Sequence, residues 1–140
     1  MKYRQQYDSS DCGAACLAMI ASYYGANLNI AEIRYHAGTD SEGTNFHGML
    51  HAANHYGLKA RAVEGKNNNI TREIPCPFIA HFKTDADSDT GNHYVVVRKI
   101  FKHKILIYNP DKSKKRELLS YEHLLLLDRI CNFLGTFFKF

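Results

Sequence analysis

Gln6-Tyr7-Asp8-Ser9-Ser10-Asp11-Cys12-Gly13-Ala14-Ala15-Cys16-Leu17-Ala18-Met19-Ile20 is the stretch on which the reading turns. From Cys12 the residues are small or apolar, and Asp8, Ser9, Ser10 and Asp11 offer capping side chains just before them. The pattern predicts a helix from Cys12 to Tyr24, stopped by Gly25. Cys16, Met19, Ile20 and Tyr23 follow at helical spacing and are expected to face the core. Cys12 then sits in the first turn. There the unpaired backbone N–H groups and the positive end of the helix dipole favour a thiolate, the reactive form of the thiol. Gln6 lies six residues upstream, with an amide able to donate to an oxyanion forming beside that sulfur.

Working outward, helices are expected near Ile30–His36 and Phe46–Tyr56, closed by Gly38 and Gly57. Strands are expected at Leu58–Val63, Phe78–Phe82, Tyr94–Ile100, Lys104–Tyr108, Arg116–Leu118 and Asn132–Lys139, with a short helix near Tyr121–Leu127. Helices come first and antiparallel-looking strands after them, which predicts an α+β fold. At 140 residues the chain has the size of one domain, with enough length to bury a core without disulfides.

Other function classes fit poorly. No apolar run reaches the roughly 18 residues a membrane helix needs. Met1-Lys2-Tyr3-Arg4-Gln5 has no apolar region behind it and does not read as a signal peptide. The charge of +4 is dispersed, and Lys99, Lys102, Lys104, Lys112, Lys114, Lys115 and Arg116 lack the stacking aromatics of a nucleic-acid platform, so no nucleic-acid partner is expected. His47, His51 and His55 share one helix face, a spacing that admits zinc, but no Glu follows His47 as a zinc-protease motif requires. Thr84–Asn92 alternates Asp without the Glu and Gly of a calcium loop, and reads as an acidic loop. No metal site is expected. The four cysteines, at 12, 16, 76 and 131, form no C-x-x-C pair and read as reduced thiols of a cytosolic protein.

A thiol nucleophile needs a base. His93 opens the apolar run Tyr94-Val95-Val96-Val97, which mounts its ring at a sheet end. The following strand ends in Asn109-Pro110-Asp111. If the two strands form a hairpin, Asp111 returns near His93, where a carboxylate would fix the imidazole's tautomer and steady its charge. Cys16, one turn after Cys12, points into the core. Cys76 lies between two prolines and Cys131 in an apolar stretch, neither with an evident base.

The set Gln6-x5-Cys12-Gly13-x-x-Cys16-Leu17-x-Met19-Ile20, Tyr24-Gly25, Gly57-Leu58, His93-Tyr94-Val95-Val96-Val97 and Asn109-Pro110-Asp111 resembles the peptidase domain of bacteriocin-processing ABC transporters. The resemblance implies a papain-like cysteine peptidase that cuts leader peptides after a double-glycine motif. It matches Cys12 to the nucleophile, His93 to the base, Asp111 to the orienting acid and Gln6 to the oxyanion donor. It further implies a precursor peptide with an amphipathic leader helix as partner, and a place at the cytoplasmic face of a bacterial inner membrane. Residues 1–140 would be the front of a longer transporter, with ATP needed only by a fused ATPase domain and no cofactor by the peptidase. Tyr23, Met49 and Ala53 are guesses for the leader groove. A non-catalytic docking domain and another papain-like thiol hydrolase stay open as alternatives.

Overall fold

The computed structural model describes residues 1–64, 74–83, 92–111, 113–120 and 130–139. Three helices, α1 (Cys12–Tyr23), α2 (Ile30–Ala37) and α3 (Phe46–His55), precede six strands. These are β1 (Leu58–Glu64), β2 (Phe78–Lys83), β3 (Asn92–Ile100), β4 (Lys104–Tyr108), β5 (Arg116–Ser120) and β6 (Ile130–Lys139). They form one antiparallel sheet in the order β1-β6-β2-β3-β4-β5. The expected helices and strands are found within a few residues of their predicted bounds; the helix expected near 121–127 and the acidic loop at 84–91 fall outside the described residues.

Local chemistry sets the helix ends. Asp8 accepts from Ser10 N (2.8 Å) and Asp11 accepts from Asp8 N (3.3 Å), a reciprocal cap on a short 3-10 turn that runs straight into α1. Asn29 caps α2 through Ala31 N and Asn45 caps α3 through Gly48 N, each at 2.8 Å. Gly38 closes α2 at φ 66°, a left-handed conformation that favours glycine.

α1 is buried on all sides: every residue from Cys12 to Ala21 is in the core. A helix apolar all round belongs in an interior, and the alanines at 14, 15, 18 and 21 let neighbours approach closely. The expectation for Tyr23 fails, because its ring reaches the surface, with the Arg98 guanidinium 5.0 Å from its centroid. The helices cover one face of the sheet, joined there by Leu58, Ile79, Tyr94 and Val96. On the opposite face Phe78, Ala80, Val95, Val97, Ile105 and Ile107 form a second buried cluster. β3 is therefore buried on both faces, which is why Tyr94-Val95-Val96-Val97 reads as a continuous apolar run instead of an alternating one. Met49 and Ala53, named as groove residues, are instead fully buried core.

Candidate active site

Cys12 is the first residue of α1 and is 3% exposed. Its sulfur meets three backbone N–H groups, those of Tyr94, Gly13 and Cys12 itself. The thiol sits above its ordinary value: burial, the largest cause, pushes it up, these three N–H groups pull it down, and the neighbouring Asp11 carboxylate pushes it up again. Burial thus outweighs the easier ionisation expected of a helix start. The contact with Tyr94 N brings the nucleophile candidate to the residue that follows His93. Cys16 is fully buried beneath, and burial holds its thiol well above its ordinary value, so it stays inert. The thiol of Cys76, half-buried before β2, is also raised by burial.

The Asp11 carboxylate is wholly buried and faces Arg34 of α2, whose Nε lies 2.9 Å from Oδ1. That oxygen accepts no aligned hydrogen bond, so the contact is an ion pair without directional bonding. It offsets a negative charge that would otherwise stand next to the thiol.

The base-side geometry corrects one expectation. β3 and β4 pair with Val96 opposite Tyr108, and continuing that register in a straight line would set Asp111 opposite His93. The ladder stops at Tyr108, however. Asn109 N donates to Lys115 O (2.5 Å) and the chain turns. Asn109 Oδ1 consequently takes the place beside the imidazole, 2.7 Å from His93 Nε2. The Asp111 carboxylate points into its own turn, accepting from Ser113 N and Ser113 Oγ at 2.9 Å each. The Ser113 N–H, then the hydroxyl, hold it below the usual carboxylate range; the nearby His93 contributes less. Asp111 is close to His93 but does not orient it by a hydrogen bond. Asn109 belongs to the same sequence motif, where charge singles out its neighbour instead; only the end of the ladder distinguishes them.

Gln6 joins the same turn. Its N–H donates to Pro110 O (3.0 Å), and Tyr3 Oη donates to Asn109 O (2.6 Å). Gln6 Oε1 is buried without a hydrogen-bond partner, and its side chain is bonded to no other described residue. The amide is thus uncommitted.

Cys12 opens onto a cleft of about 300 Å³ lined by Ser9, Asp40, Gly43, Thr44, Phe46 and Tyr94, among others. Tyr94 Oη donates to Thr44 O (2.7 Å), tying β3 to the loop between α2 and α3. On α3, His51 Nδ1 meets His36 O (2.8 Å) and His55 stacks on His36 (3.6 Å between centroids), so these two of the three helical histidines engage α2. Among the described residues, no three of His, Cys, Asp and Glu converge as metal ligands.

A model of the peptidase C39 family matches residues 1–125. The chain belongs to the peptidase C39 family. Members are cysteine peptidases, and the α+β fold is that of this family. This C39 domain is 37% identical over 116 residues to the lactococcin-G-processing and transport ATP-binding protein of Lactococcus lactis subsp. lactis, which covers 82% of the chain. It spans only 16% of that protein's length. Among solved structures it superposes on the peptidase domain of Streptococcus ComA, a bifunctional ABC transporter of a quorum-sensing pathway. The TM-score there is 0.83 at 28% identity, covering 99% of this chain and 100% of the other. It also superposes on a double-glycine-motif protease from an AMS/PCAT transporter in complex with its leader peptide. There the TM-score is 0.78 at 26% identity, covering 96% of this chain and 91% of the other.

Proposed function

We propose that this C39 domain removes the leader of a bacteriocin or signalling precursor peptide by cutting after a double-glycine motif, at the cytoplasmic face of a membrane exporter. The observation that carries the chemistry is the junction of the two halves of the site. The Cys12 sulfur lies against Tyr94 N–H, and the adjacent His93 is bonded through Nε2 to Asn109 Oδ1 at 2.7 Å. An imidazole whose Nε2 proton is held by an amide oxygen keeps Nδ1 as its basic nitrogen.

In this reading His93 Nδ1 takes the proton of Cys12 Sγ, and the thiolate attacks the carbonyl carbon of the leader's last glycine. The C=O electron pair moves onto oxygen. The oxyanion is held by the Cys12 N–H and the uncommitted Gln6 amide, whose backbone is anchored at Pro110. Collapse breaks the C–N bond, and the leaving amine takes the proton from His93. Water, losing its proton to His93, then hydrolyses the thioester and frees the leader and the thiol. Support for the leader as substrate comes from the likeness to the protease solved with its leader peptide. The partner is accordingly an amphipathic leader, with transmembrane and ATPase domains beside it where the chain belongs to a transporter.

The test is cleavage of synthetic leaders ending Gly-Gly, Gly-Ala or Val-Val. We expect cutting after the small pairs only, abolished in Cys12→Ala and retained in Cys16→Ala. Equal cutting by the Cys12→Ala protein would sink the assignment.

A further inference from the structure

The resemblance implies an orienting acid beside the base, yet the group that touches His93 is the neutral amide of Asn109. What stands behind that amide is Glu117 of β5, whose Oε2 accepts from Asn109 Nδ2 at 3.1 Å. Asn109 is 6% exposed, and each of its side-chain polar atoms has a partner. Oδ1 accepts from both His93 Nε2 (2.7 Å) and Asp111 N (3.0 Å).

Amide oxygen and nitrogen are nearly isosteric, so the partners must decide which way the group points. Asp111 N–H only donates and therefore requires the oxygen. The Glu117 carboxylate only accepts and therefore requires the nitrogen. The two constraints agree, and they put Oδ1 beside His93. The Nε2 atom must then carry a proton, which leaves Nδ1 with the lone pair. Without the Glu117 acceptor only the Asp111 N–H would oppose a flip, and a flipped amide would present an N–H to Nε2 and favour the opposite tautomer, with Nδ1 protonated and useless as a base.

We propose that Glu117 is a positioning residue for the peptidase reaction. Its carboxylate, one side chain removed from the imidazole, locks the Asn109 amide in the productive sense and supplies the negative charge that the amide lacks. This rests on Cys12 and His93 being the catalytic pair. Among the described residues, few charged groups surround the network. Asp111 is engaged by Ser113, Lys114 Nζ lies 3.9 Å from the other Glu117 oxygen, and Asp11 near Cys12 is paired with Arg34. The Glu117 side chain is 26% exposed, shielded enough for its charge to act on the amide.

The experiment crosses Glu117→Gln with Asn109→Asp. It reads kcat/KM on a Gly-Gly leader peptide, and also the pH profile of Cys12 alkylation by iodoacetamide, resolved by peptide mass. With Asn109 in place, Glu117→Gln keeps an acceptor but loses the charge. We expect about a tenfold fall in kcat/KM, the lower end of what losing the outer partner of a metal-bound histidine costs, with KM nearly constant. In the Asn109→Asp background two carboxylates face each other across the former hydrogen bond. There Glu117→Gln supplies a donor and is expected to raise the rate, reversing its sign. Cys12 alkylation at neutral pH should follow both changes. Lys114→Ala should leave the rates as they are, since the ion pair is incidental to this role.

The same sign in both backgrounds, no effect in either, or a loss in Lys114→Ala equal to that in Glu117→Gln would overturn the role of Glu117. If His93→Ala leaves the alkylation profile unchanged, the catalytic pair itself fails, and the positioning role falls with it. Intact alkylation dependence with no cleavage of any leader would instead fault the substrate assignment and leave Glu117 to be judged on the thiol.

Discussion

The two halves of the candidate active site are held in place by different physics. On the helix side, ten consecutive residues from Cys12 to Ala21 are buried, and the thiol is where it is because α1 packs against β3, α2 and α3. On the strand side, the described residues of the turn from Asn109 to Glu117 are mostly exposed or half-buried beyond Pro110, and directional bonds fix the turn. These include Tyr3 Oη and Gln6 N to its carbonyls, Asn109 N to Lys115 O, and the amide network of Asn109. Packing is non-directional and places a backbone. Hydrogen bonds carry polarity and can select a tautomer. A nucleophile needs only the first kind of placement, while a base needs the second.

The largest effect is expected where that distinction is cut on the strand side. Asn109→Ala removes the acceptor of His93 Nε2, so the imidazole loses its orientation and its tautomer preference. Cleavage should fall roughly a hundredfold or more, within the range of lost general-base catalysis. Stability should fall only by about 1 kcal/mol for each hydrogen bond lost. Single-turnover kinetics and a thermal melt on the same protein check both. A large drop in melting temperature with turnover preserved in the folded fraction would show that the turn is a packing element after all.

On the helix side the reverse is expected. A Cβ at Gly48 would collide with Ala37 O, a backbone atom of α2 that cannot swing aside. Gly48→Ala should cost about 3 kcal/mol by overpacking the α2–α3 contact. Its kcat should stay near that of the parent at a temperature where both are folded. Urea unfolding gives the first number and active-site titration corrects the second. An unchanged unfolding midpoint would break the comparison from this side.

The unequal legibility of the two halves follows from the same physics. The helix half is local: caps, small residues and the Gly25 stop lie within one segment, so its element and its thiol are readable from Gln6 to Gly25. Even there the amphipathic reading of Tyr23 misses, because a helix buried all round has no single apolar stripe to point with. The strand half is non-local. That β3 and β4 pair is visible in their apolar runs, but whether residue 109 or 111 reaches His93 depends on where the ladder ends. A turn closed by Asn109 N and Lys115 O leaves no periodic signal. Charge then favours Asp111, the neighbour not bonded to His93, since a carboxylate attracts an imidazole more strongly than an amide does. Glu117 is less visible still, because it matters only once the amide's direction is known.

The smallest effect is expected at the residue that spacing singles out. Asp111→Ala removes a carboxylate that caps its own turn through Ser113 and senses His93 only through space. Turnover should change less than about fivefold, the factor that an exposed charge interaction of up to ~1 kcal/mol allows. Its signature should lie in acid instead. The folded carboxyl sits below its ordinary value of 3.8, chiefly through the Ser113 N–H. The unfolded chain therefore takes up the proton first, and the group stabilises the fold above that value. That contribution is lost as pH falls through the depressed folded value. The stability gap between parent and Asp111→Ala should consequently be present at neutral pH and close below roughly pH 4. Urea unfolding at several pH values measures it. Should Asp111→Ala instead lose as much turnover as Asn109→Ala, with a gap that does not close in acid, the carboxylate would be the orienting group. Asn109 would then be merely the turn that carries it.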